Sequence, residues 1–488
     1  MAKTICIDLL AHADYSARFK RTKDTPGFAA FATQIERIRR ENPAGTILLD
    51  AGDEFCSKFW EGEEVVRAVA KLGTDAMTLG NHEFDRGKEF LENCVGKADF
   101  PVLCANIVEK RTGNLVSGVR PWVILDKAGV KIGVLGLTTE YTPFMVTAMS
   151  FEPYRALSAA ELGARYIPQM RKAGAQVIVV LSHFPFYADE NGGISGELPD
   201  VMAQIPPVDV FVGGHIPGDY AQIAGDTAVV KGGFGGNSLA HVRVQFDPLQ
   251  QKIISKECRV ILVDAEAETI ETYRRYEEGL VAPLRNYLGA VLTVSPEKLD
   301  VRLAHESALG DLLADAVRNA ADAQISYMNA TSAGGGIDSG PVTVEDVTSV
   351  IGYNDPVYTG LMTGKQLREL FELVYVPERF GNNAGLMFSG IVVRVDHTKD
   401  AFHKVLAITL QDGNPIEEQQ VYTVATSEYM AAGGNDTSQI ANAIPWESTG
   451  IRIYDAIFRF FREQTVLRVP STDRLLESGE PENNHAPF

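Results

Sequence analysis

The amino-acid sequence predicts a two-domain α/β protein. In the first 263 residues, strand-like runs of Val, Ile and Leu alternate with helical segments, which is the pattern of a layered α/β domain. At 488 residues the chain is also too long for a single hydrophobic core. A second α/β pattern begins near residue 290, after a charged helical segment. We therefore predict an N-terminal domain over residues 1–263, a connecting helix over 264–290 and a C-terminal domain over 291–488.

Six segments of the N-terminal part are predicted strands, because each is a near-continuous apolar run of the kind that is covered on both faces. They are residues 4–14, 45–53, 75–81, 130–137, 175–183 and 208–215. Residues 28–42 and 62–73 are predicted helices, and Gly73 ends the second one. In the C-terminal part we expect a helix over 306–321 and strands over 390–396, 404–411 and 421–426.

The composition is ordinary for a globular protein, with 45% hydrophobic and 22% charged residues. A net charge of -19 argues against binding of a nucleic acid polymer, which normally needs a basic surface. The longest apolar runs, such as residues 177–181, are far too short to span a membrane. Residues 1–14 lack the features of a signal peptide, so we expect a cytoplasmic protein, and the earlier removal of a leader stays open. The five cysteines lack CxxC spacing and are expected to be reduced thiols.

Polar residues follow several predicted strands at the point where each strand ends. They are Asp14, Asp53, Asn81 with His82, His183 and His215. A single histidine at a strand end is more often a core or capping residue than a ligand. Ligand sites in such sheets gather outside the carboxyl ends of the strands, so five such ends in one sheet indicate convergence. Oxygen and imidazole donors together favour a divalent transition metal.

The same segments carry a family resemblance. LLDAGDEF (48–55), TLGNHEFDRG (78–87), VVLSH (179–183) and VDVFVGGH (208–215) resemble the calcineurin-like metallophosphoesterases and, within them, the 5'-nucleotidase family. The similarity extends over at least residues 4–245 and 300–440. It implies an N-terminal four-layer metallophosphoesterase sandwich and a C-terminal α/β domain of the 5'-nucleotidase type that binds the substrate.

The resemblance also implies roles for single residues. Asp53 is expected to bridge two metal ions, and Asn81, His183 and His215 complete the second metal site. The first site keeps Asp14 but departs from the family pattern, with Ser16 where a histidine is expected and Pro217 where a histidine or glutamine is expected. His82 and Asp85 match the catalytic pair, in which the carboxylate orients an imidazole that faces the phosphate.

Three interpretations of the altered first site stay open. In the first, other residues replace the missing ligands: His12 shares a strand face with Asp14 at period 2, Ser16 can donate an oxygen, and Asp219 lies just past Pro217. In the second, only the second site binds its ion tightly, and the first ion is weakly bound or arrives with the substrate. The expected ions are Mn, Zn, Co or Fe. In the third interpretation the protein is catalytically silent and binds a nucleotide-like ligand or a partner protein. The retained pair His82 and Asp85 favours an active phosphoesterase.

In the C-terminal domain the resemblance implies a nucleoside-binding surface. Tyr353 and Tyr429 occupy its two aromatic positions, which would sandwich a flat base. Asn435 stands where the family has aspartate, and Asp355 where it has asparagine. Asp338 replaces an arginine that binds the anionic group. We therefore predict a small phosphorylated, nucleotide-like metabolite as substrate, with no nucleic acid polymer and no membrane as partner; the oligomeric state stays open.

Overall fold

The computed structural model describes residues 4–55, 59–146, 148–189, 191–303, 305–376 and 385–479. The chain divides into two compact units, Met1–Pro283 and Leu284–Phe488. Each unit combines β-sheets with helices, so the predicted two-domain α/β fold is confirmed. None of the described helices combines the length and the apolar character needed to cross a membrane.

The N-terminal unit contains sixteen strands and eight α-helices among its described residues. The strands are β1 (Ile5–His12), β2 (Thr46–Asp50), β3 (Ala76–Thr78), β4 (Val102–Leu103), β5 (Ile107–Glu109), β6 (Trp122–Lys127), β7 (Val130–Thr138), β8 (Tyr154–Ala156), β9 (Val177–His183), β10 (Phe186–Ala188), β11 (Ile194–Gly196), β12 (Val210–Val212), β13 (Tyr220–Ala224), β14 (Thr227–Lys231), β15 (Ser238–Asp247) and β16 (Lys252–Leu262). The helices are α1 (Gly27–Glu41), α2 (Glu63–Lys71), α3 (Gly87–Lys97), α4 (Thr142–Met145), α5 (Ala148–Phe151), α6 (Ala159–Lys172), α7 (Glu197–Met202) and α8 (Glu271–Val281).

Two six-stranded mixed sheets form the centre of this unit. Their strand orders are β16-β15-β1-β2-β3-β4 and β13-β14-β12-β9-β7-β6. A core of fully buried residues from both sheets, including Leu9, Leu49, Val134 and Val179, fills the space between them. The opposite face of the second sheet packs against α6 and α7. The central strands β7, β9 and β12 of the second sheet therefore have the other sheet on one face and helices on the other, which explains their near-continuous apolar sequences.

Several strands end earlier than the sequence predicts, and the chain then turns sharply. β1 ends at His12, and Asp14 has a φ of 56°. β2 ends at Asp50, and Asp53 has a φ of 65°. Left-handed backbone of this kind cannot continue a strand. The predicted metal ligands Asp14 and Asp53 therefore lie in turns just beyond the strands, not on them.

The C-terminal unit has twelve strands and seven α-helices among its described residues. The strands are β17 (Val291–Ser295), β18 (Leu299–Asp300), β19 (Ile325–Asn329), β20 (Gly336–Ile337), β21 (Gly340–Thr343), β22 (Pro356–Thr363), β23 (Leu386–Ser389), β24 (Ile391–Asp396), β25 (Val405–Leu410), β26 (Val421–Ser427), β27 (Glu447–Arg452) and β28 (Leu475–Ser478). The helices are α9 (Arg285–Leu288), α10 (Ala308–Ala320), α11 (Val344–Val350), α12 (Gly364–Val374), α13 (Glu428–Ala431), α14 (Ser438–Ala441) and α15 (Ile453–Arg462). A five-stranded sheet in the order β23-β19-β26-β22-β27 carries its main core.

The four cysteines within the described residues, Cys6, Cys94, Cys104 and Cys258, are free thiols. Burial raises the pKa of each of them, so they are held in the protonated form. This agrees with the reduced state expected from their spacing. The fifth, Cys56, lies outside the described residues.

Candidate metal centre

Five predicted ligands meet at one edge of the two sheets, and we call this set the edge cluster: Asp14, Asp53, Asn81, His183 and His215. Donor atoms of Asp53, His183 and His215 all lie within 4.8 Å of one another. His183 Nε2 is 3.0 Å from Asp53 Oδ2. His215 Nδ1 is 2.8 Å from Asn81 Oδ1. The structure thus brings together the four side chains that were predicted to form the second metal site.

The orientation of His183 is set by the backbone beside it. Its Nδ1 lies 2.7 Å from the carbonyl oxygen of Ala51. Because a carbonyl oxygen only accepts hydrogen bonds, Nδ1 must donate, and the proton is fixed on that nitrogen. Nε2 then faces Asp53 and lies 3.9 Å from Asp14 Oδ1. A carbonyl that fixes the tautomer in this way is typical of histidines that bind metal ions.

Three of the edge-cluster residues adopt left-handed backbone. The φ angles are 56° for Asp14, 65° for Asp53 and 68° for His215. Such values are uncommon for residues other than glycine, and they cluster at functional sites where the surroundings hold the strain. Here the turns aim the side chains of separate strands at a common point. The sequence around these three residues gave no basis for expecting the angles.

Glu83 holds the Asp53 turn in place, a role that the sequence analysis missed. Its carboxylate is fully buried and accepts four backbone N–H groups: those of Asp53 at 2.8 Å, Glu54 at 2.6 Å, Phe55 at 3.0 Å and Gly80 at 2.6 Å. These four bonds stabilise the ionised carboxylate even though burial raises its pKa. Glu83 is therefore a positioning residue for Asp53. A charged residue directly after His82 in a glycine-flanked loop was the available signal.

His82 and Asp85 lie at the open side of the edge cluster. His82 Nδ1 is 2.8 Å from Asp85 Oδ2, and both side chains are 28% exposed. The backbone N–H of His82 donates to Asp53 Oδ1 at 2.8 Å, while its Nε2 lies 4.0 Å from Asp53 Oδ2. The imidazole is thus oriented by a carboxylate on one nitrogen and directs the other towards the cluster. This is the geometry that the predicted catalytic pair requires.

The three residues that could replace the missing first-site ligands have other partners among the described residues. Ser16 Oγ donates to the carbonyl oxygen of Asp53 at 3.0 Å, and Asp219 accepts a hydrogen bond from Ser238. His12 faces Asp50 and Glu54, described below. The shared strand face of His12 and Asp14 was a wrong expectation, because the left-handed turn at Asp14 breaks the alternation of side chains.

The buried lysine Lys231 interacts with Asp14, a residue of the altered first metal site. Lys231 at the end of β14 is 6% exposed, and its ammonium donates to the carbonyl oxygen of Phe186 at 3.2 Å. Burial lowers the pKa of Lys231 to about 8, although the negative charges of Asp14 and Asp219 act to raise it. The ammonium of Lys231 therefore interacts electrostatically with Asp14, which the first metal site retains.

The carboxylates of the edge cluster favour positive charge at His183, whereas burial and the charge of His183 lower the pKa of His215 to about 3. Burial and the carboxylate of Asp53 raise the pKa of Asp14 to about 6, against the opposing effect of His183. Burial alone would lower the pKa of His183, but Asp53 and Asp14 raise it to about 10. Burial acts to raise the pKa of Asp53, yet the charge of His183 holds it well below its usual range. Carboxylate, imidazole and amide donors converge here on a region that attracts cations, so the residues fit a divalent metal ion.

In the C-terminal unit the predicted substrate residues lie at one edge of the five-stranded sheet. β22 and β26 are antiparallel, with Val357 opposite Ser427. Tyr353 precedes the start of β22 and Tyr429 follows the end of β26, so both leave the sheet at the same edge. β19 runs parallel to β26, so the glycine run that follows Asn329 begins there too.

Tyr353 is 43% exposed, whereas Tyr429 is half-buried. The hydroxyl of Tyr429 accepts the backbone N–H of Asn435 at 3.2 Å, and Asn435 has a φ of 55°. A side chain at Gly434 would collide with the ring of Tyr429. The ring is thus fixed by the loop that carries Asn435. Asp338, at the position of the missing arginine, is exposed.

Two family models match the chain. The model for calcineurin-like phosphoesterases matches residues 12–219, and the model for the C-terminal domain of 5'-nucleotidases matches residues 290–442. The two matches fall in separate parts of the chain, on either side of the boundary between the two compact units at residues 283 and 284.

Individual proteins show the same similarity along most of the chain. A snake venom 5'-nucleotidase of Gloydius brevicauda is 27% identical over 463 residues, which cover 84% of this chain and 76% of that protein. A cell wall protein of Listeria monocytogenes is 25% identical over 518 residues, covering 91% of this chain and 65% of that protein. The crystal structure of a 5'-nucleotidase precursor from Thermus thermophilus superposes with a TM-score of 0.79 at 21% identity, covering 98% of this chain and 100% of that one.

Proposed function

Since the chain belongs to the 5'-nucleotidase family of calcineurin-like metallophosphoesterases, we propose that it hydrolyses the phosphate ester of a small, nucleotide-like metabolite. The reaction is of the 5'-nucleotidase or cyclic-nucleotide phosphodiesterase type and depends on divalent metal ions. The observation that carries this proposal is the joint placement of His82, Asp85 and Asp53. Two hydrogen bonds of 2.8 Å each connect the three residues.

The metal requirement follows from the donors of the edge cluster. Asp53, Asn81, His183 and His215 would hold one ion, and Asp53 with Asp14 would offer a weaker second place. Mn, Zn, Co and Fe suit such a mixture of imidazole and oxygen donors. A bound ion polarises a phosphoryl oxygen and provides a nucleophile at neutral pH.

The chain's own residues orient the phosphate and manage the proton. The Asp85 carboxylate accepts from Nδ1 of His82, which leaves Nε2 as the atom that faces the phosphoryl group. In this position His82 neutralises charge on the phosphoryl oxygens or gives a proton to the departing oxygen. Glu83 keeps the turn of Asp53 rigid, so that the distance between His82 and the ligands is preserved.

The substrate class is supported by the C-terminal unit. Tyr353 and Tyr429 leave the same sheet edge and offer aromatic surface for a flat base. Asp338 replaces the arginine that the family pattern places after the glycine run, and this argues for an altered anionic group on the substrate. The cytoplasmic location stays a prediction.

Hydrolysis of a substrate panel by the full-length protein tests the proposal. The panel contains nucleoside 5'-monophosphates, 2',3'-cyclic nucleotides and a chromogenic phosphate ester, each with added Mn²⁺, Zn²⁺ or Co²⁺. We expect turnover of at least one nucleotide, and we expect His82→Asn to reduce kcat by about 10²- to 10⁴-fold. His403→Asn, a change at an exposed histidine of the C-terminal unit, serves as the matched control. Nucleotide binding without turnover under every metal would instead identify a catalytically silent binding protein.

A further inference from the structure

A second group of side chains with metal-binding donor atoms lies on the sheet that contains β1 and β2, on the face covered by α1. His12 on β1 and Asp50 on β2 are directly paired in the parallel register, and Glu54 comes from the loop after β2. We call these three residues the buried cluster. Their neighbours Ala11 and Leu49 face the core between the sheets, so His12 and Asp50 face the side covered by α1. The ring of Phe31 on α1 stands edge-on to His12 at 5.3 Å.

The buried cluster is shielded from solvent. The exposed fraction is 1% for His12 and 0% for both Asp50 and Glu54. Each carboxylate uses one oxygen on the backbone: Asp50 accepts the N–H of Gly52 at 3.0 Å, and Glu54 accepts the N–H of Tyr15 at 3.0 Å. Among the described residues, the other oxygen of each carboxylate and both ring nitrogens of His12 have no hydrogen-bond partner. Buried polar atoms in such number need a compensating ligand or proton.

The distances distinguish this group from a hydrogen-bonded network. His12 Nδ1 lies 3.6 Å from Glu54 Oε1, and His12 Nε2 lies 3.9 Å from Asp50 Oδ2. A closed hydrogen bond would measure about 2.7–3.2 Å. The two observed distances start from different ring nitrogens of His12, so they show that neither nitrogen closes a hydrogen bond to a carboxylate. One donor atom each of His12, Asp50 and Glu54 lies within 4.8 Å of the other two, so the three side chains are near enough to share one ion.

The same sheet contains a histidine–carboxylate pair, between β15 and β1, that does form a hydrogen bond. His241 Nε2 is 2.7 Å from Asp8 Oδ1, and both residues are nearly as deeply buried as the buried cluster. Asp8 is on β1 and faces the same side as His12. The wider spacing around His12 is thus a property of this place and not of buried histidines in this sheet.

We propose that His12, Asp50 and Glu54 form a buried site for a divalent cation, separate from the edge cluster. One imidazole and two carboxylates match the donors of Zn²⁺ and Mn²⁺, and two carboxylate charges match the charge of the ion. Glu54 also receives the N–H of Tyr15. An ion at this place therefore connects β1, β2 and the two turns that carry Asp14 and Asp53. The site does not depend on the proposed hydrolysis, and its test does not use activity.

Metal content of the full-length protein gives the first test. The protein is dialysed to equilibrium against Zn²⁺ and its zinc is measured by elemental analysis. Glu54→Gln and Asp50→Asn keep the side-chain shapes, and each is expected to lower the zinc content by one ion per chain. Glu372→Gln, a buried carboxylate of the C-terminal unit that accepts the N–H groups of Lys404 and Val405, is the control and is expected to change nothing. Folded Glu54→Gln and Asp50→Asn proteins with the zinc content of the wild type would overturn the proposal.

A second measurement needs no variant and covers the case in which the substitutions prevent folding. Crystals of the wild-type protein grown with Zn²⁺ are measured at the zinc absorption edge. An anomalous peak between His12, Asp50 and Glu54 is expected in addition to density at the edge cluster. Zinc at the edge cluster with no peak at the buried cluster would show that protons, not a cation, neutralise these carboxylates, and would overturn the proposal.

Discussion

The edge cluster and the buried cluster both combine histidine with carboxylates, but they differ in how many buried polar atoms lack a hydrogen bond. In the edge cluster the side chains pair with one another and with backbone groups, His82 and Asp85 connect it to solvent, and His183 Nε2 is the one buried side-chain atom without a hydrogen bond among the described residues. In the buried cluster, four side-chain polar atoms have no partner among the described residues. A catalytic site must be open to solvent on one side, because the substrate has to reach it, and the edge cluster meets this condition through His82 and Asp85. The arrangement of the buried cluster suits an ion that stays in place and supports the turns above it.

The largest expected effect is the loss of activity on substitution of Asp53, which belongs to the edge cluster and not to the buried cluster. Asp53→Asn removes the carboxylate that contacts His183 and accepts the N–H of His82. We expect kcat/KM for the best substrate to fall on the order of 10³-fold or more, or about 4 kcal/mol of transition-state stabilisation. Steady-state kinetics with saturating metal measure the loss, and Asp412→Asn in an exposed turn is the control. A decrease of less than tenfold would contradict the central place given to Asp53.

The next effect concerns stability and compares Asp8 on β1 with Asp50 on β2, which are both buried. Burial acts to raise the pKa of Asp8, but hydrogen bonds from His241, Arg243 and Asn42 together hold this pKa well below its usual range. Asp8→Asn replaces an ionised, fully bonded carboxylate and is expected to lower the free energy of unfolding by about 3 kcal/mol at pH 7. Denaturant titration of the wild type and the variant measures the difference.

The pH dependence of that difference has a defined sign. A carboxylate whose folded-state pKa is lowered stabilises the protein above its unfolded pKa of about 4 and loses this contribution as the pH falls towards the folded value. The difference in free energy of unfolding between wild type and Asp8→Asn should therefore shrink below about pH 4.

Asp50 is the opposite case, because burial and the charge of Glu54 raise its pKa well above the usual range. With metal removed by EDTA, Asp50→Asn is expected to leave stability unchanged or to increase it. If Asp50→Asn lowered the free energy of unfolding as much as Asp8→Asn does, the proposed difference between the two aspartates would be wrong.

Much of the architecture was predictable because it depends on periodicity and local motifs. Near-continuous apolar runs such as residues 177–181 mark strands that are covered on both faces, and these runs lie in strands as expected. The strand ends were placed too late at Asp14 and Asp53. The left-handed backbone of Asp53 is held by contacts such as that of Glu83, which lies 30 residues further along the chain. A contact over that separation leaves no local pattern in the sequence.

The arrangement around His12 could not be read from the sequence. His12 faces Asp50 because the two are paired in the β1–β2 register, and Asp14 leaves that face because its left-handed backbone ends the alternation just after β1. Glu54 directly follows Asp53, yet the two side chains contribute to different clusters because the chain turns between them. His12 was likewise expected to share a site with Asp14, two residues away, although the structure places the two side chains in different clusters.

The smallest expected effect compares two buried tyrosine hydroxyls. Burial and the nearby charge of Glu54 raise the pKa of Tyr15, and its hydroxyl has no hydrogen-bond partner among the described residues. The hydroxyl of Tyr454 donates to the carbonyl oxygen of Ile351 at 3.2 Å. In metal-free protein we expect Tyr15→Phe to raise the free energy of unfolding by about 0.5–1 kcal/mol, and Tyr454→Phe to lower it by about 1 kcal/mol. Thermal and denaturant unfolding of both variants in EDTA measure the pair. Equal losses would show that the Tyr15 hydroxyl finds a hydrogen-bond partner in solution, and the contrast between the two hydroxyls would be wrong.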